Sequence, residues 1–177
     1  FEPDAIAHLL THSIEYKVDF NVTQEDRFNL IHKSLEILAK TNAKIYLDIG
    51  HPRWLNWEIA ANTLNSFDTS IFHGFSLNVS NFIPLDECIV YGQMISQATK
   101  KPFVVDTSRN GSFIYGDEWC NPSGARLGKL PTTDTGLRNV DAFLWIKIPG
   151  ESDGKKNGGP KAGTFWPYYA QCLCNPQ

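Results

Sequence analysis

Apolar residues recur along the chain with two periods, one typical of helices and one typical of buried strands. The clearest helical spacing covers residues 24–40, and its apolar positions are Phe28, Ile31, Leu35 and Leu38. Thr23 stands directly before this segment and is a suitable N-cap. A short apolar run at 44–48 follows and predicts a buried strand.

The same alternation continues towards the C-terminus. Further helices are predicted at 57–67, 85–99 and 162–173, and further strands at 71–78, 101–106 and 141–147. A long loop that contains glycine and proline fills residues 108–139. Alternating strands and helices predict an α/β fold with a parallel sheet and helices packed outside it. A (β/α) barrel and a doubly wound open sheet both satisfy this pattern.

Polar side chains collect where the predicted strands end. These residues are Asp4, Asp48, Asn78, Asp106 and Lys147. Parallel strands place their carboxyl ends on one side of the sheet, where barrels and open α/β sheets both build their sites. Residues 1–6 predict the end of a strand that begins before Phe1. We therefore expect the sequence to be part of a longer chain.

Composition narrows the classes of function. The 177 residues suit one domain, and a net charge of −3 gives no basic surface for nucleic acid. No apolar run reaches the roughly 18 residues that would cross a membrane. No cluster has metal-ligand spacing, so neither a metal nor a cofactor is predicted. Aromatic residues make up 12% of the chain, and several Trp stand beside polar loop residues.

Three charged residues follow the last predicted strand within a few positions of one another. Lys147, Glu151 and Asp153 lie in a turn-rich stretch that also contains Pro149 and Gly150. Neighbouring carboxylates repel each other, and a nearby lysine holds both in the charged form. Glycoside hydrolysis needs two carboxyl groups that face each other across the bond, so at most one of these two would belong to such a pair. A solvated loop with a surface salt bridge explains the spacing equally well.

The segment 48–57 combines an acidic strand end with aromatic residues. Asp48 ends the strand, and His51, Trp54 and Trp57 follow a turn. Flat faces of sugar rings rest well on indole, and their hydroxyl groups pair with Asp and His, so the segment suits a polysaccharide path. The alternative is that a Trp packs beneath the helices, where aromatic side chains bury large areas.

A third candidate segment lies in the long loop, at residues 106–122. Trp119 stands among acidic and polar residues, where it either stacks a sugar or fixes the loop. Arg109 either binds a ligand oxygen or forms a structural pair with Asp106.

Together these segments resemble glycoside hydrolase family 6, the cellulases. The resemblance covers nearly the whole chain in the family's order, through the segments 2–4, 48–57, 74–81, 106–111, 118–122, 133–136, 141–154 and 162–167. It implies that residues 1–177 are the C-terminal part of a single catalytic domain. The implied fold is a distorted TIM-like (β/α) barrel without its N-terminal strands. The implied reaction is hydrolysis of β-1,4-glucan with inversion.

The resemblance also implies roles for individual residues. Asp153 matches the family's proposed catalytic base, and Asp48 matches a supporting acid in the cleft. Lys147, Glu151 and Trp119 match contacts to the sugars on the non-reducing side of the cleaved bond. The remaining substrate contacts implied are His51, Trp54 and Asn78, with Trp57 as a more distant platform.

Some features depart from the family pattern. The resemblance places the proton donor upstream of the 2–4 segment, so we expect the chain to lack this residue. We do not expect Asp4 to act as the proton donor. Cys120 lacks its usual disulfide partner, because Lys stands at the matching site in the loop 154–160. That loop is short, which favours an open cleft and endo action. A catalytically impaired glucan-binding relic is the alternative. From the family we expect a secreted protein that is monomeric when complete and binds β-1,4-glucan.

Overall fold

The computed structural model describes residues 1, 4–11, 23–116 and 118–174. The helices are α1 Ala5–Thr11, α2 Gln24–Leu38, α3 Trp57–Ser66, α4 Leu85–Thr99 and α5 Pro167–Cys174. The strands are β1 Tyr46–Asp48, β2 Gly74–Leu77, β3 Phe103–Asp106 and β4 Val140–Leu144. None of the described helices is both long enough and apolar enough to cross a lipid bilayer.

The strands form one parallel sheet in the order β1-β2-β3-β4, which confirms the predicted α/β architecture. One row across the sheet pairs Leu47, Phe75, Phe103 and Val140, all of them buried. Every residue of β2 and β3 is buried, as expected for parallel strands that are covered on both faces. This row and the inner faces of α2, α3 and α4 make up the main core.

The sheet does not close into a barrel among the described residues, yet it is curved. In a flat sheet β1 and β4 would lie about 14 Å apart, three strand spacings. The Tyr46 hydroxyl on β1 nevertheless donates to Asp141 Oδ2 on β4 at 2.6 Å. Side chains on one face converge in this way when a sheet curls, as it does in a barrel wall.

The N-terminus differs from the predicted strand. Glu2 and Pro3 lie outside the described residues, and Ala5 and Ile6, assigned above to a strand end, are helical. Only Phe1 behaves as a strand neighbour. Its amino group donates to the Tyr46 carbonyl at 2.7 Å, and its own carbonyl accepts from the Asp48 N–H at 3.3 Å. The helix α1 has only seven residues, too few for its periodicity to show in the sequence.

Other boundaries also differ from the prediction, and the last strand covers Val140–Leu144 instead of 141–147. The last helix begins at Pro167 instead of residue 162, because Gly163 has a φ of +79° and the chain turns there. Proline is well suited to the first helical turn, where its missing N–H is not needed. The second strand covers 74–77 instead of 71–78, and Asn78 leaves it with a φ of +65°. The N-cap predicted at Thr23 is confirmed, with Asp26 completing a capping box.

Candidate active site

A cavity of about 540 Å³ opens at the carboxyl edge of the sheet. We call it the cleft. Segments that follow all four strands contribute to it, together with the start of the chain. Its lining residues are Asp4, His8, His51, Arg53, Trp54, Ser80, Asn81, Phe82, Ile83, Ile114, Gly116, Glu118, Trp119, Lys147, Ser152, Asp153, Ala162 and Gly163.

A larger depression of about 960 Å³ lies beyond the loop 112–118, but fewer acidic side chains line it. Among the described residues, Glu118 is the only carboxylate that lines it. The cleft instead collects Asp4, Glu118 and Asp153, with Lys147 beside them. The cleft is therefore the candidate active site.

Asp153 is held in place by positive charge and by backbone donors. Arg109 Nη1 lies 2.9 Å from Asp153 Oδ1 and 2.8 Å from Oδ2. The Asn121 N–H donates to Oδ2 at 3.0 Å, and Lys147 Nζ lies 3.5 Å from Oδ1. The Asp153 side chain is only 8% exposed, so this is not the solvated surface loop considered above.

Arg109 does not form the pair with Asp106 that was one of its two predicted roles. It is the largest fully buried side chain, and it lies over the Phe82 ring with its Cζ 4.2 Å from the ring centroid. Its partner is Asp153, not Asp106. Asp106 instead accepts backbone N–H groups from Ser108, and from Ser80 and Lys147. Asp106 thus fixes the loops, and Arg109 is free to neutralise Asp153.

Asn121 fixes the backbone around the same carboxylate. Its Oδ1 accepts the Asp153 N–H at 2.8 Å, and its Nδ2 donates to the carbonyls of Gly154 and Lys156 at 2.8 and 3.1 Å. A single buried amide thereby joins the loop after β3 to the loop after β4. Apart from the turn-forming character of Asn, no local pattern in the sequence indicates this contact.

A second pair of carboxyl groups lies at the start of the chain. Asp48 is buried, and its Oδ1 accepts N–H groups from Gly50 at 2.9 Å and from Asp4 at 3.3 Å. Burial raises the pKa of Asp48 to about 7, although the Gly50 N–H opposes this. The predicted supporting acid therefore lies behind the cleft instead of lining it.

Asp4 lines the cleft, and its backbone N–H donates to Asp48. Burial raises the pKa of Asp4, and the nearby His8 partly opposes this. Its Oδ1 is buried and has no hydrogen-bond partner among the residues that the structure describes. A carboxyl group in such surroundings tends to keep its proton.

The predicted aromatic contacts fall into two groups. Trp54 lines the cleft and is half-buried against His8, with ring centroids 4.8 Å apart. Trp119 lines it from the opposite loop and is 60% exposed, and His51 lies close to Trp54. Trp57 begins α3, packs against the main core and does not line the cleft, which matches the packing alternative considered for it.

Asn78 and Glu151 do not line the cleft either. Asn78 is fully buried, where its amide donates to the carbonyls of Ile83 and Asp106 and accepts from the Ile83 N–H. That hydrogen bonding leaves no donor for a sugar, so its role in this structure is to join loops. Glu151 is half-buried, with its Oε2 3.9 Å from Lys147 Nζ.

The loop that carries Trp119 is held to the loop after Asp153 by polar contacts. Cys120 is buried and not part of a disulfide within the described chain. Lys156 Nζ instead lies 2.9 Å from Glu118 Oε2, and Asn157 donates to the Cys120 carbonyl at 2.9 Å. No group of three or more His, Cys, Asp or Glu side chains among the described residues is arranged to hold a metal.

The sequence model of glycosyl hydrolases family 6 matches residues 1–176. The chain belongs to this family. It is 42% identical over 166 residues to endoglucanase A of Cellulomonas fimi, covering 93% of this chain and 35% of that protein. It is 31% identical to a probable exoglucanase of Podospora anserina, covering 97% of this chain and 46% of that protein. The chain thus spans less than half of either relative.

Solved family 6 structures share the fold. The endoglucanase Cel6 of Mycobacterium tuberculosis, solved with methyl-cellobiosyl-4-deoxy-4-thio-β-D-cellobioside, matches with a TM-score of 0.86 at 44% identity. The match covers 98% of this chain and 59% of that one. The catalytic core of the cellobiohydrolase Cel6A of Chaetomium thermophilum matches with a TM-score of 0.85 at 26% identity. The fold is therefore the distorted TIM-like barrel of family 6, of which this chain forms an open, curved portion.

Proposed function

We propose that this chain forms part of the catalytic cleft of an enzyme that hydrolyses β-1,4-glucosidic bonds in cellulose or related β-glucans, with inversion. One observation carries the proposal. A single cleft is lined by two carboxyl groups in opposite electrostatic surroundings, one desolvated and one flanked by two cations. Such pairs divide the roles of acid and base in glycoside hydrolysis.

Asp4 is the proposed proton donor. Inversion requires a carboxylic acid that protonates the leaving oxygen. The family resemblance led us to expect this group outside the chain. The surroundings of Asp4 support a different assignment, because burial raises its pKa and its Oδ1 has no partner among the described residues. The proton would pass from Asp4 to the glycosidic oxygen as the bond to the anomeric carbon breaks.

Asp153 is the proposed base. A water molecule would attack the anomeric carbon from the opposite face of the ring and give its proton to Asp153. Oδ1 is the oxygen suited to this, since it accepts one hydrogen bond from the described residues whereas Oδ2 accepts two. Lys147 Nζ lies 3.5 Å from Oδ1, which favours the charged form of Asp153.

The proposed substrate is a β-1,4-glucan chain that lies between Trp54 and Trp119. Both indoles line the cleft, and aromatic faces stack well on the C–H faces of glucose. We further propose endo action. The loop 154–160 is short and contains only one 3₁₀ turn, at Lys156–Gly158. The relatives at 42–44% identity are named endoglucanases, whereas those named exoglucanases or cellobiohydrolases are about 30% identical.

The test uses the complete protein that carries this chain, with cellohexaose as substrate. New reducing ends and their anomeric form are followed by NMR, and we expect the α-anomer to appear first. Asp153→Asn keeps the shape of the side chain and, in samples whose circular dichroism matches that of the folded wild type, should lower kcat on the order of 10²–10⁴-fold. Asp134→Asn, an exposed aspartate away from the cleft, is the matched control and should have no effect.

Each outcome has a defined meaning. Binding of cellohexaose without hydrolysis by the wild-type protein would replace the proposal with a non-catalytic glucan-binding role. Absence of both binding and hydrolysis would reject both functions. Undiminished hydrolysis by Asp153→Asn would reject the base assignment alone.

We also propose that the complete protein is secreted and acts as a monomer. An insoluble polymer cannot enter a cell, so its hydrolysis has to take place outside. Cellulase activity in the medium of an expressing culture, eluting from a sizing column at the mass of one chain, is the expected result. Activity confined to the cell lysate would contradict secretion.

A further inference from the structure

One wall of the cleft is the loop 112–120, in which Ile114 and Cys120 are buried whereas the described residues between them are more exposed. Residues 112–120 follow β3, and Ile114, Gly116, Glu118 and Trp119 from this loop line the cleft. Trp119 is 60% exposed and Tyr115 is 87% exposed, so burial does not fix either ring. The position of Trp119 over the cleft must therefore come from contacts that hold the loop.

Arg53 makes such contacts from the opposite wall. It lies between His51 and Trp54 in the loop after β1. Its Nη1 points to the Ile114 carbonyl at 3.5 Å, and its guanidinium carbon lies 5.0 Å from the centroid of the Phe113 ring. Both contacts fall in the first half of the loop 112–120.

Glu87 holds the same guanidinium from a third segment. Arg53 Nε donates to Glu87 Oε2 at 3.1 Å, and Nη2 donates to Oε1 at 2.7 Å. Glu87 lies in the first turn of α4, which is a rigid part of the fold. A two-point pairing of this kind fixes the plane of the guanidinium as well as its position. All three nitrogens of Arg53 are thus engaged, two on α4 and one on the loop.

The second half of the loop has a different anchor. Lys156 pairs with Glu118 at 2.9 Å, and Asn157 donates to the Cys120 carbonyl. The loop 112–120 is therefore held at both ends, and Arg53 is the anchor nearest Ile114. Without Arg53, Phe113 and Ile114 would lose these contacts with the loop after β1.

We propose that Arg53, oriented by Glu87, is a positioning residue that fixes the loop 112–120 over the cleft and thereby strengthens the binding of long glucan chains. This proposal rests on the proposed function for the identity of the ligand. The Arg53 side chain is 27% exposed and that of Glu87 is 37% exposed, so their ion pair adds little to the stability of the fold. Its main effect is on the position of the loop. Arg53 acts through the loop and not on the reacting atoms.

The experiment compares four test variants and one control variant of the complete protein. Arg53→Ala and Glu87→Gln should each raise the KM for cellohexaose about fivefold, the size expected for one partly exposed ion pair, with a smaller change in kcat. The double variant should be no worse than either single variant, because both remove one interaction. Arg53→Lys, which keeps the charge and loses the two-point pairing, should be intermediate. Arg126→Ala is the matched control, since Arg126 lines the larger depression outside the cleft and its side chain donates to the carbonyl of the neighbouring Ala125.

Hydrogen exchange gives a readout that does not depend on catalysis. Backbone amides in 112–120 should exchange faster in Arg53→Ala and Glu87→Gln than in the wild type, whereas amides of β2 and β3 should not change. If the wild-type protein hydrolyses no glucan, the proposed function fails, and the exchange rates alone still decide whether Arg53 holds the loop.

The proposal is overturned if Arg53→Ala changes neither KM nor exchange in the loop. It is also overturned if Arg126→Ala has the same effect as Arg53→Ala, since loss of charge would then be the cause. Should Arg53→Ala melt well below the wild type, Glu87→Gln decides the question, because it leaves the arginine and its ring contact in place.

Discussion

At the scale of single residues, Asp4 and Asp153 can be separated by the leaving group of the substrate. Asp4→Asn removes the proposed proton, so turnover of cellohexaose should fall on the order of 10²–10⁴-fold. A dinitrophenyl cellobioside leaves without protonation, so its hydrolysis should fall far less. Steady-state kinetics on both substrates provides the measurement. Equal losses on both would indicate that Asp4 is not the donor.

The dependence of activity on pH provides a second test of Asp4 as the proton donor. A donor has to be protonated, so wild-type activity should fall as the pH rises through the pKa of Asp4, which burial raises. This alkaline limb should disappear from the Asp4→Asn profile on cellohexaose, whose leaving group needs the proton. A limb that persists unchanged would assign it to another group.

Asp48 should make the stability of the protein depend on pH. In the folded protein its pKa is about 7 because of burial, whereas in an unfolded chain it is about 3.9. Between these values the folded state binds more protons, so the free energy of unfolding falls as the pH rises. Asp48→Asn cannot ionise, and its stability relative to the wild type should increase from about pH 4 to about pH 7. Urea unfolding across this range tests it, and a constant difference would contradict the prediction.

At the scale of elements, the two ends of the sheet have different roles. The cleft lies at the carboxyl ends of the strands, and a polar cluster lies at the amino ends. There Asp141 Oδ2 accepts from the Tyr46 hydroxyl at 2.6 Å and lies 3.0 Å from His73 Nε2. In barrel enzymes the amino end supports stability and the carboxyl end supports catalysis.

Tyr46→Phe should therefore lower stability without touching activity. Loss of this hydrogen bond should reduce the free energy of unfolding by about 1 kcal/mol, while kcat/KM on cellohexaose stays within about twofold. Tyr168→Phe, at a 66% exposed position, is the control for removing a hydroxyl group. A large loss of activity in Tyr46→Phe would show that the two ends of the sheet are coupled.

The order of elements could be read from the sequence, because helical and strand periodicity is local. The spacing of Phe28, Ile31 and Leu35 was enough to predict α2, and Thr23 marked its start. The helix α1 and the late start of α5 could not be read, since one is too short and the other depends on a turn at Gly163. The proximity of Lys147, Glu151 and Asp153 followed from their spacing along one loop.

Local sequence patterns could not predict which groups the charged side chains pair with. Arg109 and Asp153 are 44 positions apart, and only the folded loops bring them together. The same holds for Asp4 and Asp48, whose raised pKa values result from burial by the fold. Asn78 had the residue type expected of a sugar ligand, but the structure uses its amide to join two loops.

At the scale of the whole molecule, the proposed endo action predicts how a polymer is degraded. An open cleft cuts within the chain, so the viscosity of carboxymethyl cellulose should fall steeply while few reducing ends have formed. Viscosity and reducing ends measured on the same samples provide the test. A slow fall in viscosity with steady release of cellobiose would indicate exo action instead.

The buried pair of Arg109 and Asp153 has a consequence for how this chain could evolve. Loss of either charge leaves the other buried without compensation, which typically costs about 3–5 kcal/mol and threatens the fold itself. Selection for a folded protein would therefore retain Asp153 even in a lineage that no longer cleaves glucan. Asp4 is only half-buried, and its buried Oδ1 has no hydrogen-bond partner among the described residues. Among related proteins that have lost catalysis, we therefore expect Asp4 to be substituted more often than Asp153.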